Sequence, residues 1–83
     1  MMMKRREKMD TLMKILNEID DSINWEKEKA VIDDRLLDSF GVITLVSELE
    51  DAFGIEIEAS EMAAENFNSA EAMYQMILRL KEK

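Results

Sequence analysis

Asp38 and Ser39 stand side by side in the stretch LLDSFG, residues 36–41, and the run VITLVSELEDAF follows. An acid beside a hydroxyl at the start of a helix has two readings. One is capping, in which the side chain accepts a hydrogen bond from the first turn. The other is attachment. Backbone N–H groups of a first turn have no helical partners, and the positive end of the dipole favours an anion there. A phosphodiester formed on Ser39 suits that place. Gly41 offers no side chain to crowd an approaching enzyme, and Phe40 sets a large apolar group beside the hydroxyl. An isolated Asp-Ser pair favours capping. The apolar pair before it, the hydrophobic run after it and the acids around it favour attachment.

The residue types that are missing narrow the chemistry. Among 83 residues there is no histidine and no cysteine. Ser-His-Asp and Cys-His nucleophiles, thiolate metal sites and disulfides are therefore excluded within the chain. Paired carboxylates remain conceivable, but one small domain offers little room for a buried pocket. No catalytic constellation is visible, so the expectation is a protein that is not an enzyme. The EF-hand spacing D-x-[DN]-x-[DN]-G does not occur, and no metal site is expected.

The net charge is −8, and its distribution is uneven. Seven basic and seven acidic residues balance over positions 1–30, whereas Asp33 to Glu71 holds eleven acids and one base, Arg35. Such a surface repels nucleic acid and anionic lipid, so the expected partners are proteins with basic patches. Simple solubility is the competing explanation. No apolar run is long enough to span a membrane, and no apolar signal core follows the basic MMMKRREK. A cytoplasmic monomer is expected, as one domain over 1–83 with residues 1–8 as a flexible extension.

Proline is absent, glycine occurs twice, and Ala, Leu, Met, Glu and Lys are plentiful, which favours helix throughout. Met9, Leu12, Met13, Leu16 and Ile19 mark one face of a first helix, from about residue 4 to about residue 20. A long connection, 21–38, follows, with Ile23, Trp25, Val31, Ile32, Leu36 and Leu37 as apolar anchors and a possible helical turn in NWEKEKAV. A second helix starts at Ser39 and stops at Gly54, with Phe40, Ile43, Val46 and Phe53 on a stripe that Val42, Leu45, Leu49 and Ala52 widen. As the most apolar helix it is expected to be central. Ile55 and Ile57 form an extended connector. Ser60 is expected to cap a short helix over about 61–65 with Met62 inward, and Phe67 to plug the next turn. Asn68 with Glu71 reads as a capping box for a last helix whose inner face is Ala72, Met73, Met76, Ile77 and Leu80, with Arg79, Lys81 and Lys83 at its end.

The segments LLDSFGVITLVSELEDAFGIEI, 36–57, and NFNSAEAMYQMI, 66–77, resemble the acyl carrier protein superfamily. The spacing of LLDSFG, ELEDAFGIEI and SEM followed by Phe67 and Asn68 is most similar to its D-alanyl carrier branch. The resemblance implies an all-α, small four-helix acyl-carrier-like bundle with a long loop between the first two helices and a short third one. It implies that Ser39 receives 4′-phosphopantetheine from coenzyme A, with Asp38 beside it near the metal-bound donor. The arm's thiol, which would supply the sulfur the chain lacks, then carries an acyl or aminoacyl thioester. D-alanine or another amino acid is the expected cargo.

Implied partners are a phosphopantetheinyl transferase, an adenylating or acyl-loading enzyme, and a downstream acyltransferase or synthase. They would meet Phe40, Thr44, Val46, Glu61 and Met62, with Glu48 and Asp51 facing basic residues; ordinary solvated charge is an equal reading of those two acids. Met73, Met76 and Ile77 either line an acyl groove or, more simply, pack the core. Thr44 and Ser47 replace the acids or methionine common on fatty-acid carriers, which argues against fatty-acid synthase enzymes as partners. Arg35 stands where such carriers often have glycine, and a positive φ there would cost about 1 kcal/mol. The alternative from another class is a non-carrier acidic helical adaptor for basic partners, in which LLDSFG is only a cap.

Overall fold

A computed structural model describes residues 5–82, with four helices: α1 (Arg5–Ile19), α2 (Ser39–Phe53), α3 (Ala64–Phe67) and α4 (Ala70–Lys81). No strand occurs among the described residues. None of the helices is long and apolar enough to cross a membrane. Of the 1–8 extension, residues 5–8 form the first turn of α1, and 1–4 lie outside the described residues.

α1 buries Leu12, Ile15 and Leu16 and leans Met9, Met13 and Ile19 against the same core. It ends where Asp20 turns its carboxylate back on the chain, accepting from the Ser22 N–H at 2.9 Å and the Ser22 hydroxyl at 2.5 Å. Those bonds, the hydroxyl's first, hold the Asp20 carboxyl below its ordinary value. The indole N–H of Trp25 donates to the Asp20 carbonyl at 2.9 Å, so a large buried aromatic keeps its polar atom satisfied. The Asn24 carbonyl accepts from the Lys27 and Glu28 N–H groups, which makes the first part of NWEKEKAV, residues 24–28, a turn. Ile23, Trp25, Val31 and Leu37 are buried as anchors of the long connection, whereas Leu36 is 40% exposed, against expectation. Two adjacent residues in this bend point apart, and the core takes Leu37.

The centre of the bundle is α4 rather than α2. α4 buries Ala70, Met73, Tyr74, Met76, Ile77 and Leu80, whereas α2 buries Leu45, Leu49 and Phe53. α1 packs on both α2 and α4, and α3 packs on α4. The apolar residues of α2 go round the helix instead of forming one stripe. Phe40 and Ile43 are 79% and 66% exposed, so they belong to the outer face. Gly54 closes α2 in the left-handed region, φ 64°, with its N–H on the Glu50 carbonyl. The Glu50 carboxylate then accepts the Ile57 N–H at 2.9 Å, which pins the extended connector and buries Ile57.

The single helix expected over 61–65 is instead a 3-10 turn, Ala59–Glu61, followed by α3. The Glu61 carbonyl accepts from the Ala63 N–H at 2.8 Å and the Asn66 amide at 2.8 Å, which replaces the bond a continuous helix would need. Ser60 lies inside the 3-10 turn and caps nothing, and Met62 is 44% exposed rather than inward. The cap of α4 also shifts by one residue. Ser69 accepts the Ala72 N–H at 3.0 Å, and Asn68 bonds to the long loop instead. At the other end, Arg79 pairs with Glu61, and Lys81 donates to the Phe53 carbonyl at 2.9 Å, placing a cation on the C-terminal end of α2. Lys83 lies outside the described residues.

Candidate functional site

Ser39 is the first residue of α2, exposed to solvent. Asp38 is its N-cap, in extended conformation at φ −81° and ψ 174°, and its carboxylate accepts the Gly41 N–H at 2.7 Å. The Asp38 carbonyl takes the first helical bond, from Val42, at 3.0 Å. These two bonds account for residues 41 and 42. The N–H groups of Ser39 and Phe40 have no partner among the described residues. An exposed hydroxyl thus stands beside two unclaimed donors at the positive end of a helix, the setting that accommodates a phosphate on that hydroxyl. Capping and attachment are compatible, because the carboxylate does the first and the hydroxyl is left for the second.

Gly41 has an internal reason to be glycine. A Cβ there would lie 2.8 Å from Leu37 Cδ1, 3.0 Å from Leu37 Cγ and 3.3 Å from Asp38 Oδ1. The absent side chain makes room for the last anchor of the loop and for the cap. Upstream, Arg35 adopts φ 57°, the left-handed conformation that a glycine would take more easily. The turn over 31–35 is closed by Asp34 N–H on the Ala30 carbonyl, Arg35 on Ile32 and Leu36 on Val31.

Around the hydroxyl the surface is apolar first and acidic further out. Phe40, Ile43 and Leu36 are exposed, in contrast to the inward stripe expected for Ile43 and the loop anchor expected for Leu36. Taking Leu45, Leu49 and Phe53 as the centre of the buried face would have put Ile43 outside from sequence. Thr44 is exposed, with its hydroxyl donating to the Phe40 carbonyl at 3.1 Å. Phe40, Thr44 and Glu48 line a shallow groove with Ile15, Glu18 and Ile19 of α1. Glu48 and Asp51 continue along α1 beside Thr11, Lys14 and Glu18. Val46 is half-buried and packs against the core. Glu61 is also half-buried, and the Arg79 pair and the Asn66 amide hold its carboxylate. Met73, Met76 and Ile77 are fully buried members of the core. Among the described residues, no group of three or more His, Cys, Asp or Glu is placed to hold a metal ion.

Residues 10–77 match the family described as "Phosphopantetheine attachment site". The D-alanyl carrier protein of Bacillus velezensis is 26% identical over 77 residues, which is 93% of this chain and 96% of that one. The D-alanyl carrier protein of Streptococcus suis is 28% identical over 72 residues, 86% of this chain and 91% of its own. No solved structure gives a significant match.

Proposed function

Since the chain belongs to the phosphopantetheine attachment-site family and is a carrier protein, we propose that its 4′-phosphopantetheine is carried on Ser39 Oγ. The observation that carries this assignment is the exposed hydroxyl at the first residue of α2, next to a carboxylate already committed to the cap. When attached, the group supplies a terminal thiol that holds the cargo as a thioester. The chain's own part is to present that group. The Ser39 and Phe40 N–H groups would be the donors available to its phosphate, and Asp38 keeps the first turn closed. No residue of the chain acts as a catalyst in this scheme; a separate transferase activates the hydroxyl.

D-alanine or another amino acid is the cargo we assign. Support comes from the similar D-alanyl carriers and from the fully buried Met73, Met76 and Ile77, which pack the core as a small cargo allows. Work in the cytoplasm, where coenzyme A is at hand, fits this role. Its partners are a phosphopantetheinyl transferase, an adenylating enzyme that loads the thiol, and an acceptor enzyme. We place their contact on Phe40, Ile43 and Leu36, with Met62 as an outlying apolar contact. The groove of Thr44, Glu48 and Asp51 beside α1 adds the charge that selects basic partners.

The test is intact mass before and after incubation with coenzyme A, magnesium and a broad-specificity transferase, beside Ser39→Ala. A gain of one phosphopantetheine in the parent alone places the arm on Ser39. An equal gain in Ser39→Ala moves it to another hydroxyl. No gain with a transferase shown to modify a second carrier, followed by none with transferases of the chain's own source, refutes the assignment.

A further inference from the structure

We propose that Asn68 is a positioning residue for the modification reaction, fixing the loop that delivers Ser39 by holding both the backbone N–H and the carboxylate of Asp33 with its side-chain amide. The inference rests on Ser39 being the attachment residue. Asn68 stands between α3 and α4, half-buried, and reaches across to the long connection. Its Oδ1 accepts from the Ile32 N–H at 2.9 Å and the Asp33 N–H at 3.0 Å. Its Nδ2 donates to Asp33 Oδ2 at 3.1 Å. Its backbone carbonyl accepts the Val31 N–H at 3.0 Å. Three successive N–H groups of the loop therefore end on one residue. The amide orientation follows from this chemistry, because two N–H donors demand an oxygen and a carboxylate demands an N–H.

From that clamp to Ser39 the chain has little freedom. Asp34, Arg35 and Leu36 close back on Ala30, Ile32 and Val31, and Arg35 reverses the direction in a left-handed conformation. Leu37 is buried, and Asp38 caps the helix. The clamp thus sets how Leu36, Asp38 and Ser39 face an incoming enzyme, while α2 sets only the helix beneath them. Ser69 performs the capping of α4, so Asn68 is not needed for that helix. Serine or threonine at 68 would lack a group that both accepts from two N–H groups and donates to Asp33. Aspartate would accept from the N–H groups but set a second carboxylate against the first.

That asymmetry supplies the experiment. Transferase kinetics with coenzyme A are measured on the parent, Asn68→Asp, Asp33→Asn and the double variant Asp33→Asn with Asn68→Asp. All are compared at a temperature where circular dichroism shows each one folded. Asn68→Asp is expected to lower kcat/KM by about tenfold, because a displaced reacting group loses rate steeply. Asp33→Asn is expected to stay near the parent, since an amide oxygen still accepts from Asn68. The double variant is expected to recover, with the donor and acceptor exchanged. Lys81→Ala, which removes the bond to the Phe53 carbonyl at the far end of α2 and leaves the loop untouched, is expected to melt earlier and react at the parent rate. Asn68→Ala replaces Asn68→Asp in the comparison where the latter does not fold. A parent modified at one rate with every folded variant refutes the positioning role and leaves the attachment on Ser39 standing. A parent that takes no phosphopantetheine refutes the attachment instead.

Discussion

Replacing Gly41 by alanine pits two local effects against each other. Gly41 is the third residue of α2, and alanine in a helix is favoured over glycine by up to about 1 kcal/mol. Propensity alone therefore predicts stabilisation. The new methyl, however, would stand 2.8 Å and 3.0 Å from Leu37 Cδ1 and Cγ, so the Leu37 side chain, a buried anchor of the loop, must shift to admit it. Overpacking of that kind costs about 1–3 kcal/mol. The same methyl would lie 3.3 Å from the Asp38 oxygen that accepts the Gly41 N–H, and disturbing that cap adds up to about 1 kcal/mol. The balance is a loss of about 1–2 kcal/mol, or on the order of 10 °C in Tm for a domain of this size. Thermal and urea unfolding measure it, and the double variant with Asp38→Ala apportions it. With the cap already removed, the cost of Gly41→Ala should shrink by about 0.5–1 kcal/mol, the coupling expected of residues in contact. A Gly41→Ala protein as stable as the parent, or more so, would refute the packing argument and leave helix propensity in control.

Arg35→Gly should raise stability by about 1 kcal/mol, read as a higher urea midpoint, because φ 57° strains any residue with a Cβ; an unchanged midpoint means arginine bears no strain there. Asp20 titrates below its ordinary value of 3.8 through the Ser22 hydroxyl, so its contribution to stability is present above that value and disappears as pH falls through the lowered one. Ser22→Ala should move the carboxyl resonance titration of Asp20 upward, and an unmoved curve would assign the shift elsewhere. Added NaCl or magnesium should raise Tm, since a net charge of −8 repels itself in the compact state; a melting curve indifferent to salt would show that the repulsion is already spread too thinly to matter.

Much of the fold was legible because it depends on periods and punctuation. α1 follows from Met9, Leu12, Met13 and Leu16, and α2 from the cap at Asp38 and the stop at Gly54. The place of the Ser39 hydroxyl at the head of α2 was legible for the same reason: a cap is a local arrangement of neighbouring residues. The misreadings are places where a distant group decides. Asn68 and Ser69 are both good caps, and only the loop 36 residues away in sequence takes Asn68 out of competition. The helix break at Met62 depends on Asn66 and Arg79 reaching Glu61, which no local preference reveals. Phe40 and Ile43 carry the apolar character of a core while standing outside it. Composition reports how much apolar surface α2 has, and only packing reports which part of it faces solvent. Tyr74 is buried in α4 as well, so the buried face is wider than the stripe that Met73, Met76 and Ile77 mark in the sequence.

The exposed ring of Phe40 has a colloidal consequence. Two copies of a chain with net charge −8 repel one another before their apolar patches can touch. The range of that repulsion is the Debye length, about 10 Å in 0.1 M salt and about 3 Å at 1 M. At low ionic strength the like charge keeps the exposed apolar end of α2 away from its own kind while attracting any positively charged surface. Screening therefore acts in two opposite senses on one molecule: it relaxes the strain within each copy and removes the barrier between copies.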